Sequence, residues 1–169
     1  MTETSARSKW ETRPLTAEDQ EFLWEMLYVA LWDAPDEKRR PRTVLDNSVI
    51  RRLVEDWGRP DDFGLVAVDP ANGRRVGAIW SRLDRYDQLD DFGCPYPCLG
   101  IGVEEAFQGT GVGSCLMQAF IAALKDRIEG LRLGVHPMNH VAQSLYRKYE
   151  FVEYAVGHGG YPQMRLPFR

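Results

Sequence analysis

The stretch that most constrains this chain runs from Leu99 to Ile128, LGIGVEEAFQGTGVGSCLMQAFIAALKDRI. A short apolar run gives way to a glycine-rich turn and then to a long amphipathic pattern. From Val112, apolar residues recur at Cys115, Leu116, Ala119, Phe120, Ala123, Leu124 and Ile128. These three- and four-residue spacings gather on one stripe of an α-helix. Gly130 stands where a left-handed helix cap is expected. A strand, a glycine turn and a helix in this order bring free backbone N–H groups to a positive helix end, an arrangement suited to an anion.

The turn carries Gly109, Gly111 and Gly113 between Gln108 and Ser114. Glycine permits positive φ and lets successive N–H groups converge on one phosphate, yet the same glycines would also serve close strand–helix packing. Two phosphate loops fit poorly. A P-loop needs Lys-Ser/Thr after its last glycine, whereas Ser114-Cys115 follows Gly113. The dinucleotide fingerprint G-x-G-x-x-G has its third glycine elsewhere and opens the first βαβ unit, not a segment beyond residue 100.

The spacing that fits is Q-x-x-G-x-G, from Gln108 to Gly113, after a strand ending at Val103. It resembles the acetyl-CoA signature of the GNAT superfamily of N-acetyltransferases. A second block strengthens the resemblance: Leu133-Gly134-Val135, then Asn139, Ala142, Leu145-Tyr146, Lys148 and Phe151. The two blocks span residues 97–152. The pattern departs at Glu150, where the family usually has glycine, and at Glu104-Glu105, where a small residue and a proline are common.

Length and charge narrow the field. The chain's 169 residues suit one domain. A net charge of −4 argues against nucleic acid as the main partner. Lys38, Arg39, Arg40 and Arg42 cluster, as a solvated loop or a local basic patch. Cys94, Cys98 and Cys115 are an odd set that predicts free thiols, and Cys94-x-x-x-Cys98 lacks the second pair of a zinc site. The opening MTETSARSKW has no signal-peptide core, and no apolar run reaches the ~20 residues of a membrane span. A cytoplasmic protein, not bound to membrane, is the expectation.

In chain order, residues 1–8 are polar and expected to fray. Trp10 to Arg13 reads as a strand. Thr16 and Asp19 form a capping-box start for a helix that ends before Pro35. Asp46 or Asn47 caps a second helix with Val49, Ile50, Leu53, Val54 and Trp57 as its stripe and Gly58 as its stop. Phe63 to Val68 and Arg75 to Leu83 form a hairpin around Asp69-Pro70-Ala71-Asn72-Gly73. After an acidic loop over 84–93, Tyr96 to Val103 is the strand feeding the glycine turn. Leu131 to Val135 returns parallel to it, completing a βαβ crossover. His140 to Tyr149 is a helix, and Phe151 to Val156 and Gln163 to Leu166 are closing strands.

The fold expected is α/β, a single GNAT-like domain over 1–169 with residues 97–152 as cofactor core. The resemblance implies a mixed central sheet of about six to seven strands and about four helices. It also implies acetyl-CoA as co-substrate, an amine acceptor and no metal. Cofactor contacts are expected at Ile101, Gly102, Val103, Gln108, Gly109, Thr110, Gly111, Val112, Gly113, Ser114, Asn139 and Tyr146. Gly100 and Gly102 suggest a bulge or a close backbone approach, or simply easier sheet packing.

Tyr146 matches the family's general acid. Glu104 or Glu105 could accept the amine's proton through water, or be exposed charges only. In the resembled family, the loops corresponding to Trp32–Arg42 and Gly157–Pro162 wall the acceptor. Asp84, Asp87, Asp90 and Asp91 could favour a cationic amine or form a solvated run. His136 and His140 receive no role from the pattern, and Cys115 reads as core. The competing expectation is a binding module that holds an acyl-CoA without turnover. A homodimer is compatible with either.

Overall fold

A computed structural model describes residues 9–83 and 90–168. The expectations for residues 1–8, Asp84 and Asp87 lie outside the described residues. Four strands form an antiparallel sheet in sequence order: β1 (Glu11–Pro14), β2 (Asp62–Val68), β3 (Arg75–Arg82) and β4 (Gly100–Val103). The β2–β3 hairpin closes through side chains of its turn. Asp69 accepts from the Ala71 N–H and Asn72 from the Arg74 N–H, each at 2.9 Å.

A second sheet has the order β5 (Gly130–Gly134), β7 (Pro162–Pro167) and β6 (Val152–Val156), all antiparallel. The seven strands match the expected mixed α/β architecture, divided between two sheets. Among the described residues, the backbones of the two sheets are joined by one parallel bridge, between Cys98 and Arg132. Upstream of β4, the predicted strand from Tyr96 is irregular, and Pro97 contributes only its carbonyl, to the Arg132 N–H.

The helices are α1 (Gln20–Ala30), α2 (Ser48–Arg51), α3 (Val112–Leu124) and α4 (His140–Lys148). The Thr16–Asp19 capping box forms as predicted, ahead of a 3₁₀ turn that leads into α1. Asp19 is buried, and the guanidinium of Arg13 at 2.8 Å holds its carboxyl far below the usual carboxylate range, with the Thr16 N–H and Arg75 adding to this.

α2 is far shorter than its periodicity predicts. Asn47 caps it, but Asp56 at φ 50° and Gly58 at φ 116° turn the chain afterwards. Val54 and Trp57 still reach the core, while Val49 is exposed. α3 also stops early. The Arg127 and Ile128 N–H groups both turn back to the Leu124 carbonyl. Gly130 is not a cap; it opens β5 and is buried where a Cβ would lie 2.7 Å from the Leu166 carbonyl oxygen.

The first sheet is covered on both faces. Leu116, Met117, Phe120 and Leu124 of α3 pack with Val76 and Ile79 of β3 and with Leu131 and Leu133 of β5. On the other face, Phe22, Leu23, Met26 and Leu27 of α1 pack with Val54, Trp57, Val66 and Trp80. α1 lies directly on β4, and Gly102 permits this, because a Cβ there would stand 2.4 Å from the Met26 carbonyl oxygen. The β3–β4 register is unbroken from Gly77–Val103 to Trp80–Gly100, so no bulge occurs and the glycines serve close approach. Gly102→Ala should force α1 off the sheet and cost about 1–3 kcal/mol, the usual scale of overpacking. A denaturant midpoint equal to that of the parent would refute this reading of Gly102.

Candidate active site

β4 is the side of the site nearest the gap between the sheets. Just past its ladder with β3, the Glu104 N–H donates to the Val76 carbonyl at 2.9 Å. Hydrogen-bonded and non-bonded pairs alternate along such a ladder. The N–H and C=O groups of Ile101 and Val103 therefore point away from β3, towards β5. Leu99, two residues earlier, uses this edge to donate to Arg132 at 2.8 Å. On its other edge β5 pairs with β7 throughout, from Gly130–Pro167 to Gly134–Gln163. Among the described residues, neither the Ile101 nor the Val103 N–H pairs with β5. The outcome is a strand edge opening into the protein. The Val103 carbonyl is partly used, accepting from Gln108 Nε2 at 3.1 Å.

The glycine turn follows. Gly109 has φ 75° and Gly111, the N-cap of α3, has φ 91°. The first helical bond runs from the Cys115 N–H to the Gly111 carbonyl, so the N–H groups of Val112, Gly113 and Ser114 precede the ladder. Three groups brace this turn from behind. Trp10 Nε1 donates to the Thr110 carbonyl at 3.0 Å, the Thr110 hydroxyl donates to the Phe107 carbonyl, and Tyr149 donates to the Ser114 carbonyl at 3.0 Å. Lys148 Nζ sits 3.2 Å from Ser114 Oγ, adding a cation to the positive helix end. Sequence patterning assigns no role to Trp10 or Lys148. Lys148 had a signal, its place in the second motif block; Trp10, about a hundred residues from its partner, had none.

These elements border a cleft of about 700 Å³. Ile101, Val103, Gln108, Gly109, Gly111, Gly113 and Ser114 line one side. Asn139, Ala142 and Tyr146, one face of α4, line the other. Thr110, Val112 and Gly102 do not line it: Thr110 faces the brace, Val112 is core, and Gly102 faces α1. Asn139, which lines the cleft, caps α4 by accepting from the Ala142 N–H at 3.1 Å.

Tyr146 is buried against Phe151, and burial pushes its phenol up to about 12. Its hydroxyl has no hydrogen-bond partner among the described residues. Cys98, whose charge adds to that shift, lines a smaller cavity of about 170 Å³ together with Leu27, Leu31, Leu53 and Trp80. Ala30 borders both cavities.

The two carboxylates after β4 are not brought to the cleft. Glu104 ion-pairs with Arg74 at 2.9 Å, and Glu105 lies in the 3₁₀ turn Glu105–Phe107, outside the lining. Strand alternation explains this, since the step after Val103 points to the other side. Asp90 is consumed by Tyr154 and by the Phe92 and Cys94 N–H groups, which together outweigh its partial burial and keep its carboxyl below the usual range. The loops expected as acceptor walls do meet: Arg40 donates to the Tyr161 hydroxyl at 3.1 Å. His140 lines the cleft, exposed, while His136 is buried behind it. Among the described residues, no cluster of His, Cys, Asp and Glu could hold a metal ion, and no helix is long and apolar enough to cross a membrane.

The fold recurs in known proteins. Residues 23–151 match the acetyltransferase (GNAT) family, and the chain belongs to it. A mycothiol acetyltransferase from Arthrobacter sp. (strain FB24) is 33% identical over 108 residues, covering 61% of this chain and 31% of that protein. The chain thus spans about a third of the length of such curated relatives. Among solved structures, the GNAT domain of S. lividans PAT superposes with a TM-score of 0.65 at 21% identity, covering 92% of this chain and 89% of that one. The ribosomal-protein-S18-alanine N-acetyltransferase from Escherichia coli gives 0.64 at 17% identity, with 94% of each chain covered.

Proposed function

We propose that this chain transfers the acetyl group of acetyl-CoA to a primary amine of a small molecule or peptide, by direct attack in a ternary complex. One observation carries the reading: the first turn of α3 at Gly113 and Ser114, the β4 edge at Ile101 and Val103, unpaired among the described residues, and Tyr146 all line a single cleft. The pyrophosphate is bound at Gly109–Ser114, with Lys148 beside it. The pantetheine amides extend the β4 edge at Ile101 and Val103 as an added strand would. Asn139 contacts the cofactor from the opposite side.

In the reaction, the neutral amine attacks the thioester carbonyl carbon. The developing oxyanion takes the Val103 N–H. Collapse breaks the C–S bond, and the leaving sulfur receives a hydrogen bond from Tyr146. The amine's proton leaves to solvent, since Arg74 holds Glu104 and Glu105 lies away. The acceptor approaches the cleft past Trp32, where Trp32–Arg42 meets Gly157–Pro162 through the Arg40–Tyr161 hydrogen bond.

The alternative, a non-catalytic acyl-CoA-binding module, draws on one observation: among the described residues, no carboxylate lines the cleft. Acetyl-CoA binds under either reading. At about a hundredfold excess over Kd it should raise the melting temperature by about 5–10 °C, because it binds only the native state. An unmoved melting temperature at millimolar acetyl-CoA would sink both readings. Thiol release from acetyl-CoA on addition of an amine library then separates enzyme from module.

A further inference from the structure

We propose that His136 is a positioning residue for the acceptor side of the cleft: its Nε2–H fastens the turn Ala34–Glu37, and with it Trp32, against the protein. The kinetic part of this inference rests on the acetyl-transfer reading above; the structural part does not.

His136 follows β5 and is only 8% exposed. Its Nδ1 accepts from the Met138 N–H at 3.0 Å, so the proton of the neutral ring resides on Nε2. That nitrogen lies 3.2 and 3.3 Å from the two carboxylate oxygens of Glu37. Both ring nitrogens are thus committed, and neither is free to take a proton from a substrate.

Glu37 in turn closes its own loop. It accepts from the Ala34 N–H at 3.0 Å, and its N–H donates to the Ala34 carbonyl at 2.9 Å. The Ala34 N–H first, and His136 after it, hold the Glu37 carboxyl below the usual range. Asp33 extends the clasp by accepting from the Arg40 N–H at 3.0 Å, and Arg40 reaches Tyr161. The imidazole packs against the Trp32 ring at 4.9 Å and the Tyr161 ring at 5.1 Å.

The other end of the clasp is anchored to α4. Gln143, buried, donates to the His136 carbonyl at 3.1 Å and to the Pro137 carbonyl at 3.0 Å. α4 also carries Tyr146, and Trp32 lines the cleft with it. One run of satisfied polar contacts therefore links the helix bearing the phenol to the loop facing it. Its buried members, His136 and Gln143, both have their partners, and a satisfied buried polar group favours one arrangement over its neighbours.

The two conservative variants divide the imidazole's contacts. His136→Asn keeps an acceptor for the Met138 N–H and loses the donor to Glu37. His136→Gln keeps a donor towards Glu37 and loses the acceptor. Glu37→Ala removes the same contact from the exposed side, where it opens no buried cavity. We expect the Ala34, Glu37 and Arg40 amides to exchange about tenfold faster or more in His136→Asn and Glu37→Ala, and at near the parent rate in His136→Gln. The amine KM should rise about tenfold in the first two variants, with rescue by Gln and with acetyl-CoA Kd changed much less.

Unchanged exchange in both His136→Asn and Glu37→Ala would overturn the clasp. Faster exchange with an unmoved amine KM would overturn the acceptor-side role. A parent protein that acetylates no amine would overturn the transfer reading instead, and exchange alone would then decide the clasp.

Discussion

Tyr146→Phe should lower kcat by roughly 10- to 1,000-fold, the usual scale of a lost general acid. Acetyl-CoA affinity and melting temperature should barely change. The ring keeps its contact with Phe151, whose centroid is 5.9 Å away. The lost hydroxyl strands no protein group, because it has no hydrogen-bond partner among the described residues. Its phenol, raised to about 12 by burial, stays protonated at every pH at which an assay runs. Tyr146 should therefore add no falling limb to the alkaline side of the kcat profile. A thiol near pKa ~8.5 is a stronger acid than this phenol, so complete proton transfer to the sulfur is uphill. The hydroxyl acts instead as a hydrogen bond that strengthens as the C–S bond breaks. Full turnover by Tyr146→Phe with its true amine would reduce Tyr146 to packing.

Gly111→Glu should weaken acetyl-CoA binding about 10- to 100-fold, since a carboxylate at the start of α3 would repel the phosphates through a partly screened field. Two effects combine in this variant. Gly111 has φ 91°, so any side chain there also costs about 1–2 kcal/mol of strain. Space is not the obstacle, as a Cβ at this position would meet nothing within 4 Å. Gly111→Ala carries the strain without the charge. Calorimetry should therefore show Ala close to the parent in affinity and Glu far below it, with both losing similar stability. Equal affinity in all three would remove the pyrophosphate from this turn.

Much of the site could be read from the chain because its parts are local. The positive φ at Gly111, the N-cap at Asn139 and the face shared by Asn139, Ala142 and Tyr146 all follow from spacing over a few residues. Glu150, where a glycine was expected, adopts the left-handed conformation that glycine favours, with φ 71°. What could not be read was long-range. Periodicity gave α2 a full stripe, yet its residues reach the core from irregular turns through Val54 and Trp57. Strand patterning suggested that β4 and β5 run parallel side by side, and they do so only at the Cys98–Arg132 bridge among the described residues, with no pairing at Ile101 or Val103. Glu104 read as either a proton acceptor through water or an exposed charge, and its ion pair with Arg74, thirty residues earlier, had no local signal. His136 carried no signal, because its partners Trp32, Glu37 and Tyr161 come from two distant loops.

The divergence of the two sheets has a thermodynamic side. Few main-chain bonds cross from β4 to β5, so the β5–β7–β6 sheet and the four-stranded sheet are coupled mainly through α3 and its side chains. Such units open semi-independently when little binds them together. A ligand that fills the gap and bonds to the β4 edge joins the two, and the energy of opening one becomes shared with the other. Acetyl-CoA should then slow amide exchange throughout β5, β6 and β7, including residues it never touches. Protection confined to the cleft lining would mean that the sheets already open as one body.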